Sequence, residues 1–203
     1  MFKVAVFVSG RGSNLKAIVN SKALTHLVKI RYVVSDNPQS EALDFAESKK
    51  IETLIVGKRG IAFQTVAEKF LDAGVDLVVL AGFLKLVPVD FVEKFENQII
   101  NIHPALLPRY GGKGMYGHFI HEAVFNAGDN ISGATVHFVN SEYDRGEIIK
   151  QVIVDITEAK TPEEIAKLVL AEEHKLLPAV IALFAKKKIK IVENRVRIID
   201  SDD

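Results

Sequence analysis

Short apolar runs and helically spaced apolar residues alternate along the first half of the chain. The apolar runs are strand-like and lie at Val4 to Val8, Ile30 to Val34, Thr53 to Val56, Val75 to Leu80 and Ile99 to Ile102. Strands that are buried on both faces and separated by helices form parallel sheets with right-handed crossovers. The pattern therefore predicts an α/β fold: a doubly wound, mainly parallel sheet with helices on both faces.

One segment of this half follows the helical period closely. Its apolar positions are Phe63, Val66, Ala67, Phe70 and Leu71. Spacings of three and four residues place such positions on one face of a helix, and Gly74 stands where that helix should end. The spacing thus predicts a helix whose apolar stripe includes all five residues.

The regular alternation of strand-like and helical segments ends after His103. Ala134 to Val139 alternates between two faces, and Glu147 to Ile156 is strand-like again. Their connection is too short for a crossover helix, which predicts an antiparallel pair. Thr161 and Pro162 begin a long helix that runs to about Lys186. The last segment, Ile189 to Ile199, predicts a small hairpin around Glu193 and Asn194.

Composition narrows the function classes. With 48% hydrophobic and 26% charged residues, the 203-residue chain resembles an ordinary soluble domain rather than a disordered segment. Lys plus Arg and Asp plus Glu number 26 each, which argues against a nucleic-acid partner. The absence of cysteine excludes disulfides and thiol chemistry and is compatible with the cytosol. No apolar run approaches the ~20 residues of a membrane-spanning helix.

Asn101 and His103 are the first candidates for chemistry. Two residues apart on an extended backbone, their side chains point to the same side. They lie at the carboxyl end of a predicted strand, where open α/β sheets keep their active sites. An amide there accompanies the one side chain that titrates near neutral pH. The alternative is a buried polar pair satisfied by the backbone.

A glycine-rich turn, residues 9–14 (SGRGSN), links the first strand to a helix. Free backbone N–H groups and the positive end of the helix dipole favour an anion there. A dinucleotide fingerprint would need a third glycine where Leu15 stands, although Asp36 does end the second strand. The turn does not match a Walker phosphate-binding loop either, because no Gly-Lys-Ser/Thr is present. The turn is left as a site for a single phosphate group, or as a tight turn that binds nothing.

Asp144 is a further candidate, in the loop between the two predicted antiparallel strands. By position alone it is one more exposed turn aspartate. If the loop folds over the end of the fifth strand, however, the carboxylate can meet the imidazole of His103. An ionised partner would favour imidazolium and hold the ring in place.

Together these segments carry a family resemblance. The segments are residues 9–14 (SGRGSN), 81–83 (AGF), 101–108 (NIHPALLP), 133–138 (GATVHF) and 144–146 (DRG). They resemble the phosphoribosylglycinamide formyltransferases, which move a formyl group from 10-formyltetrahydrofolate to glycinamide ribonucleotide in purine synthesis. The resemblance covers nearly the whole chain. Other formyltetrahydrofolate-using enzymes share Asn-x-His-Pro-x-Leu-Leu-Pro and the later Asp, whereas the early Gly-Ser-Asn turn singles out the ribonucleotide enzymes.

The resemblance implies roles for particular residues. Direct transfer would be assisted by Asn101, His103 and Asp144, and the substrate phosphate would be held by Gly12, Ser13 and Asn14. The folate co-substrate would contact Arg59, Leu84, Lys85, Leu86, Val87, Asn140, Ser141, Glu142 and Tyr143. Glu173 would receive the glycinamide end of the substrate. Helical spacing supports Glu173 independently, because it falls within the apolar stripe of the long helix, although Glu172 lies near the same stripe.

The chain departs from the best-known family members at Gly111 to Gly117, a glycine-rich loop longer than the usual turn. Contacts of this loop cannot be carried over. Just after it, His118 and His121 stand three residues apart, but no acidic third ligand is near in sequence. We expect these histidines on a solvated or substrate-side face, and we expect no metal, since formyl transfer requires none.

The resemblance also implies one formyltransferase domain over residues 1–203. Residues 1–100 would form its phosphate- and nucleotide-binding half, and residues 101–203 its folate-binding and catalytic half. We expect small-molecule substrates, no nucleic acid, no membrane, a cytoplasmic location, and a monomer or weak homodimer. Three alternatives remain: a formyltransferase acting on initiator methionyl-tRNA, a formyltetrahydrofolate hydrolase, and a non-catalytic phosphate-sugar or nucleotide-binding module.

Overall fold

A computed structural model describes residues 1–58, 60–193 and 195–199 of the chain. The chain divides into two compact units, Met1–Asn101 and Ile102–Asp203. Each unit has its own strands and helices. Among the described residues, no helix combines the length and apolar character needed to cross a bilayer.

The first unit is a parallel sheet with helices in its crossovers. Its strands are β1 (Phe2–Val8), β2 (Val28–Ser35), β3 (Glu52–Ile55), β4 (Leu77–Leu80) and β5 (Ile99–His103), which enters the second unit at Ile102. Its helices are α1 (Ser13–Val19), α2 (Glu41–Ser48), α3 (Phe63–Ala73) and α4 (Val89–Lys94). The strands lie in the order β3-β2-β1-β4-β5, and every pair in that series is parallel. The predicted α/β alternation is confirmed.

The strand order makes β1 the switch point of this unit. From β1 the chain moves outward through β2 and β3, then returns to add β4 and β5 on the other side. Crossovers leave in opposite directions on either side of such a point, and the loops that follow the two strands open a crevice there. The loops in question are residues 9–12 after β1 and residues 81–88 after β4.

Burial shows why the first unit adopts this arrangement. All of Val4 to Val8 is fully buried, as expected for a strand covered on both faces. Phe7 lies at the centre of an aromatic cluster, with ring centroids 5.2 Å from Phe83 and 6.0 Å from Phe70. The stripe predicted for α3 is wrong at Leu71, which is 56% exposed. The core of the unit contacts Val66, Ala67 and Phe70 instead, so the buried stripe is narrower than the spacing predicted.

The second unit is antiparallel in its strands. Its elements are α5 (His118–Asn126), β6 (Ile131–Phe138), β7 (Ile148–Asp155), α6 (Pro162–Ala185), β8 (Ile189–Val192) and β9 (Arg195–Ile198). Strands β6 and β7 pair antiparallel, as do β8 and β9, which confirms both predictions. Asn194, in the predicted hairpin turn, lies outside the described residues. The segment from Ala134 to Phe138, predicted to alternate between two faces, lies in β6, and both faces are covered, since β6 is buried from Ser132 to Phe138.

Helix α6 begins where the sequence predicts. The Thr161 side chain accepts a hydrogen bond from the backbone N–H of Glu164 at 3.2 Å, and Pro162 occupies the first helical position. A threonine in this position satisfies one of the N–H groups that the first turn leaves unpaired. The helix keeps Val169, Leu176 and Leu177 buried, so its start sets the register of much of the second unit.

Replacing Thr161 with alanine should therefore lower the free energy of unfolding by about 1 kcal/mol, because the first turn loses its cap. Urea unfolding followed by circular dichroism measures the change. Thr25→Ala is the matched control, since its hydroxyl makes only an exposed 3.3 Å contact with the Ser21 carbonyl. Equal losses in the two variants would show that the cap does not stabilise α6.

Candidate active site

His103 ends β5 with its ring almost fully buried. Its Nδ1 lies 3.5 Å from Oδ1 of Asp144, and its Nε2 lies 2.8 Å from the carbonyl oxygen of Tyr110. The contact that the sequence predicted between the turn carboxylate and the imidazole is therefore present. A carbonyl can only accept, so Nε2 carries a proton. In the neutral ring this leaves the Nδ1 lone pair facing the carboxylate, where an added proton would be stabilised.

Asp144 is held in place from three directions. Its side chain is only 11% exposed and its backbone is left-handed, with φ 54°. The N–H of Gly112 donates to Oδ2 at 2.9 Å, while Nε2 of His137 lies 3.5 Å from Oδ1. A partly buried carboxylate needs such partners, because burial without them costs several kcal/mol. The longer loop thus supplies a backbone donor to the carboxylate.

His137 is a site residue that sequence reasoning missed. It lies on β6, fully buried, and its Nδ1 donates to the carbonyl of Phe138 at 2.7 Å while Nε2 faces Asp144. The signal in the sequence was a histidine between two apolar residues, Val136 and Phe138, of a predicted strand. Two imidazoles therefore share one oxygen of Asp144, and in each ring the other nitrogen is fixed by a backbone carbonyl.

The charges of this cluster follow from burial and from each other. Burial lowers the pKa of His103 below its ordinary 6.5, against the opposing effects of Asp144 and the Tyr110 carbonyl. Burial alone would raise the pKa of Asp144, but the hydrogen bond to His137, the charge of His103 and the Gly112 N–H outweigh it. The pKa of Asp144 therefore lies below its usual range. At neutral pH the cluster contains a neutral His103 beside an ionised carboxylate.

Two other features fix the chain around His103. The buried hydroxyl of Thr135 donates to the carbonyl of Ala105 at 2.6 Å and accepts from the N–H of Leu107 at 3.1 Å, so β6 anchors the residues after His103. A Cβ on Gly111 would lie 2.5 Å from Leu107 and 3.2 Å from the Cβ of Asp144. A side chain at position 111 would therefore require the Leu107 side chain to shift.

Asn101 precedes His103 by two residues on the same strand and is the last residue of the first unit. It is partly exposed and registers with Leu80 of β4. The strand assignment that put the two side chains on one side is thus confirmed for this segment.

The predicted phosphate turn packs closely against α2. Gly12 is left-handed with φ 69°, and a Cβ there would lie 2.6 Å from the Cβ of Ala42. The carbonyl of Gly10 accepts from the Ser40 hydroxyl at 2.6 Å and from the Ala42 N–H at 3.4 Å. Only a glycine fits position 12, for both conformation and space. Ser13 opens α1 and is partly exposed, while Asn14 is buried.

The predicted folate residues differ in exposure. Leu84 and Leu86 present apolar side chains to solvent at 52% and 47% exposure, Lys85 is exposed, and Val87 is buried. In the loop before Asp144, Asn140 accepts from the N–H of Glu142 at 3.0 Å through its side chain, which makes a local turn. Ser141, Glu142 and Tyr143 are exposed there. Arg59 lies outside the described residues.

Glu172 and Glu173 separate clearly on α6. Glu173 is buried, 7% exposed, whereas Glu172 is partly exposed and pairs with Lys175 at 2.6 Å. The carboxylate within the apolar stripe is therefore Glu173, as helical spacing indicated.

Of the two faces expected for the α5 histidines, solvated or substrate-side, the solvated face is confirmed for His118 and excluded for His121. His118 is exposed and lies 3.3 Å from Glu122. His121 is buried with Ile120 and Val124 on the inner face of α5, so it is not on a solvated face. Burial, and then the charges of His103 and His118, lower the pKa of His121 to about 4. Within the part of the chain that the structure describes, no three His, Asp or Glu side chains group as metal ligands.

Comparison with known proteins adds to this geometry. A family model described as formyl transferase matches residues 2–181. A chloroplastic phosphoribosylglycinamide formyltransferase of Arabidopsis thaliana is 40% identical over 98% of this chain, which spans 70% of that relative. The trifunctional purine biosynthetic protein adenosine-3 of Bos taurus is 36% identical over 95% of this chain, which spans 19% of its length.

Solved structures give the same picture. The phosphoribosylglycinamide formyltransferase of Anaplasma phagocytophilum superposes with TM-score 0.90 at 35% identity, covering 100% of this chain and 96% of that one. A formyltetrahydrofolate deformylase of Pseudomonas syringae superposes with TM-score 0.85 at 22% identity, covering 98% of this chain and 66% of that one. At that identity the comparison shows a common fold, and a fold alone does not choose the acceptor of the formyl group.

The buried His121 should make stability pH-dependent. Its folded-state pKa of about 4 lies below the ordinary 6.5, so the unfolded chain binds a proton first as pH falls. The resulting loss begins near pH 6.5, continues to about pH 4, and should reach about 2 kcal/mol at pH 5.

Urea unfolding at pH 7.5 and pH 5 tests this. His121→Phe should lose about 2 kcal/mol less than the wild type between the two pH values, because the titrating group is gone. The exposed His118→Gln, on the same helix, is the control and should follow the wild type. Equal pH dependence in His121→Phe and wild type would contradict the assignment.

Proposed function

The chain belongs to the formyl transferase family, and we propose that it catalyses the reaction of the phosphoribosylglycinamide formyltransferases within that family. In this reaction the formyl group of 10-formyltetrahydrofolate passes to the amine of N1-(5-phospho-D-ribosyl)glycinamide, a step of purine biosynthesis. The observation that carries the proposal is the His103–Asp144 contact at 3.5 Å, a base and a carboxylate brought together from distant parts of the second unit.

The proposed chemistry is direct transfer. The neutral amine attacks the formyl carbon, a C–N bond forms, and the carbonyl oxygen becomes an oxyanion. The bond to the folate nitrogen then breaks, and that nitrogen takes a proton. His103 receives the proton from the amine and returns it to the leaving nitrogen. This role suits a ring that is neutral at pH 7, because its pKa is lowered by burial.

Asn101 and protonated His103 stabilise the oxyanion in this proposal. A well-placed donor contributes roughly 3–4 kcal/mol of transition-state stabilisation. Asp144 holds the ring and stabilises the imidazolium once the proton has moved. Its lowered pKa supports the role, because the carboxylate stays ionised while His103 changes charge.

Substrate binding is proposed from the family resemblance together with exposure. Gly12, Ser13 and Asn14 would hold the phosphate. Glu173, a buried carboxylate, would receive the glycinamide end of the substrate. The folate would contact Arg59, Leu84, Lys85, Leu86 and Val87, and also Asn140, Ser141, Glu142 and Tyr143. The exposed apolar side chains of Leu84 and Leu86 support this, because surface leucines after a switch-point strand suit a flat aromatic ring.

The wider expectations are part of the proposal. We infer a division of labour in which residues 1–100 bind the phosphate and residues 101–203 supply the folate contacts and the chemistry. We also infer that the protein is cytoplasmic and that it is a monomer or a weak homodimer. Balanced charge supports small-molecule substrates rather than nucleic acid.

A folate-difference absorbance assay tests the function. Purified protein with 10-formyltetrahydrofolate should turn over only when glycinamide ribonucleotide is present. Turnover without an acceptor would indicate a hydrolase, and turnover with methionyl-tRNA alone would indicate the tRNA enzyme. Binding of either ligand without turnover would favour the non-catalytic module.

Asp144→Asn should lower kcat at least about 100-fold with little change in substrate affinity, because the imidazolium loses its counter-charge. The pH profile adds a second readout. Wild-type activity should fall on the acid side with a midpoint below 6.5, since burial lowers the pKa of His103. Removing the carboxylate charge should move that midpoint to still lower pH.

Steady-state kinetics across pH measures both effects. Asp155→Asn is the matched control, because that exposed carboxylate accepts hydrogen bonds from the N–H and hydroxyl of Thr157, two residues away, and its loss should leave kcat unchanged. Comparable losses of kcat and affinity in Asp144→Asn would instead assign the carboxylate a binding role.

A further inference from the structure

The Ser9 hydroxyl joins three segments at the switch point of the first unit. It donates to Oδ1 of Asp36, which follows β2, at 2.6 Å. It accepts from the N–H of Leu84, which follows β4, at 2.9 Å. Ser9 itself follows β1 and begins the glycine-rich turn. One side chain thus connects the turn that precedes Gly12 with the first residue of the Leu84–Val87 segment.

The direction of these bonds is fixed by their chemistry. A backbone N–H can only donate and an ionised carboxylate can only accept, so the one hydroxyl proton of Ser9 points to Asp36. The bond to the carboxylate is charge-assisted and therefore the stronger of the two. It aims the oxygen lone pair at Leu84. Asp36, the acidic residue at the end of the second strand, is thus engaged by Ser9.

Backbone contacts reinforce the same junction. The N–H of Ser9 donates to the carbonyl of Gly82 at 3.1 Å, and the Asn37 side-chain amide reaches the carbonyl of Ser9 at 3.5 Å. Gly82 is left-handed with φ 78°, so the chain turns sharply between Gly82 and Leu84. Both ends of this turn are bonded to Ser9, at the Gly82 carbonyl and at the Leu84 N–H.

We propose that Ser9 is a positioning residue that sets the Leu84–Val87 segment against the phosphate turn, and so governs folate affinity. This inference rests on the proposed function, since it takes that segment as a folate contact. We assign Ser9 no part in the chemistry itself, because its hydroxyl is engaged with Asp36 and Leu84. Its loss should therefore weaken folate binding while leaving kcat nearly unchanged.

Isothermal titration with tetrahydrofolate, together with steady-state kinetics, tests the proposal. Ser9→Ala should weaken tetrahydrofolate binding and raise the KM for 10-formyltetrahydrofolate about fivefold to tenfold, the effect of one lost positioning hydrogen bond. The kcat should change less than about threefold. Ser9→Thr keeps the hydroxyl and should restore affinity to within about threefold of the wild type. Ser48→Ala is the control, because that exposed hydroxyl bonds only to the nearby Phe45 carbonyl.

The contrary outcomes are distinct. Ser9→Ala with a lower Tm but unchanged folate affinity would overturn the proposal and leave Ser9 a purely structural residue. If Ser9→Ala does not fold, Asp36→Asn carries the test, since it keeps Ser9 and weakens only the bond that orients its hydroxyl. Unchanged affinity there would also overturn it. Failure of the wild type to bind tetrahydrofolate would defeat the proposed function itself, whereas normal wild-type turnover with unaffected Ser9 variants defeats the Ser9 proposal alone.

Discussion

A carboxylate that is removed from water needs hydrogen-bond donors or positive charge beside it. In the second unit, several residues supply these to the carboxylate of Asp144. Its two oxygens are divided: Oδ2 takes the Gly112 N–H, and Oδ1 faces the rings of His103 and His137. Because each ring is fixed on its far side by a backbone carbonyl, neither can turn away from the carboxylate. The orientation of the catalytic candidate His103 therefore depends on β6 and on the glycine-rich loop as much as on its own strand.

The burial of Asp144 and His103 together also explains how a buried imidazole can take up and release a proton. Desolvation holds the pKa of His103 down, while the adjacent negative charge opposes it. These opposing effects keep the ring neutral at rest without making its protonated form prohibitive. A solvent-exposed histidine would not need the carboxylate, and a buried one without it would resist taking the proton. The long contact of 3.5 Å is consistent with a pair that tightens only when the ring becomes charged.

Much of the fold followed from local pattern, and much of the site did not. Strand runs such as Val4 to Val8 and helix signals such as Thr161 are local, so periodicity and capping chemistry located them. His137 was missed, and the burial of His121 left open, because burial and partners depend on other elements, which a single sequence does not display. The prediction that Leu71 is buried was wrong for a related reason. Helical spacing shows which face of α3 is apolar, but not how far the neighbouring sheet extends over that face. The meeting of His103 with Asp144 was predicted only as a condition on how one loop folds.

The glycine-rich loop, residues 111–117, shows how a loop can hold a carboxylate without using its own side chains. What Asp144 takes from this loop is one backbone N–H, at Gly112, and backbone donors do not depend on which side chain is present. What the loop must provide is close approach, and Gly111 meets this because a Cβ would collide with Leu107. Length and side chains elsewhere in the loop are therefore free to differ, while the path of the backbone beside the carboxylate is not.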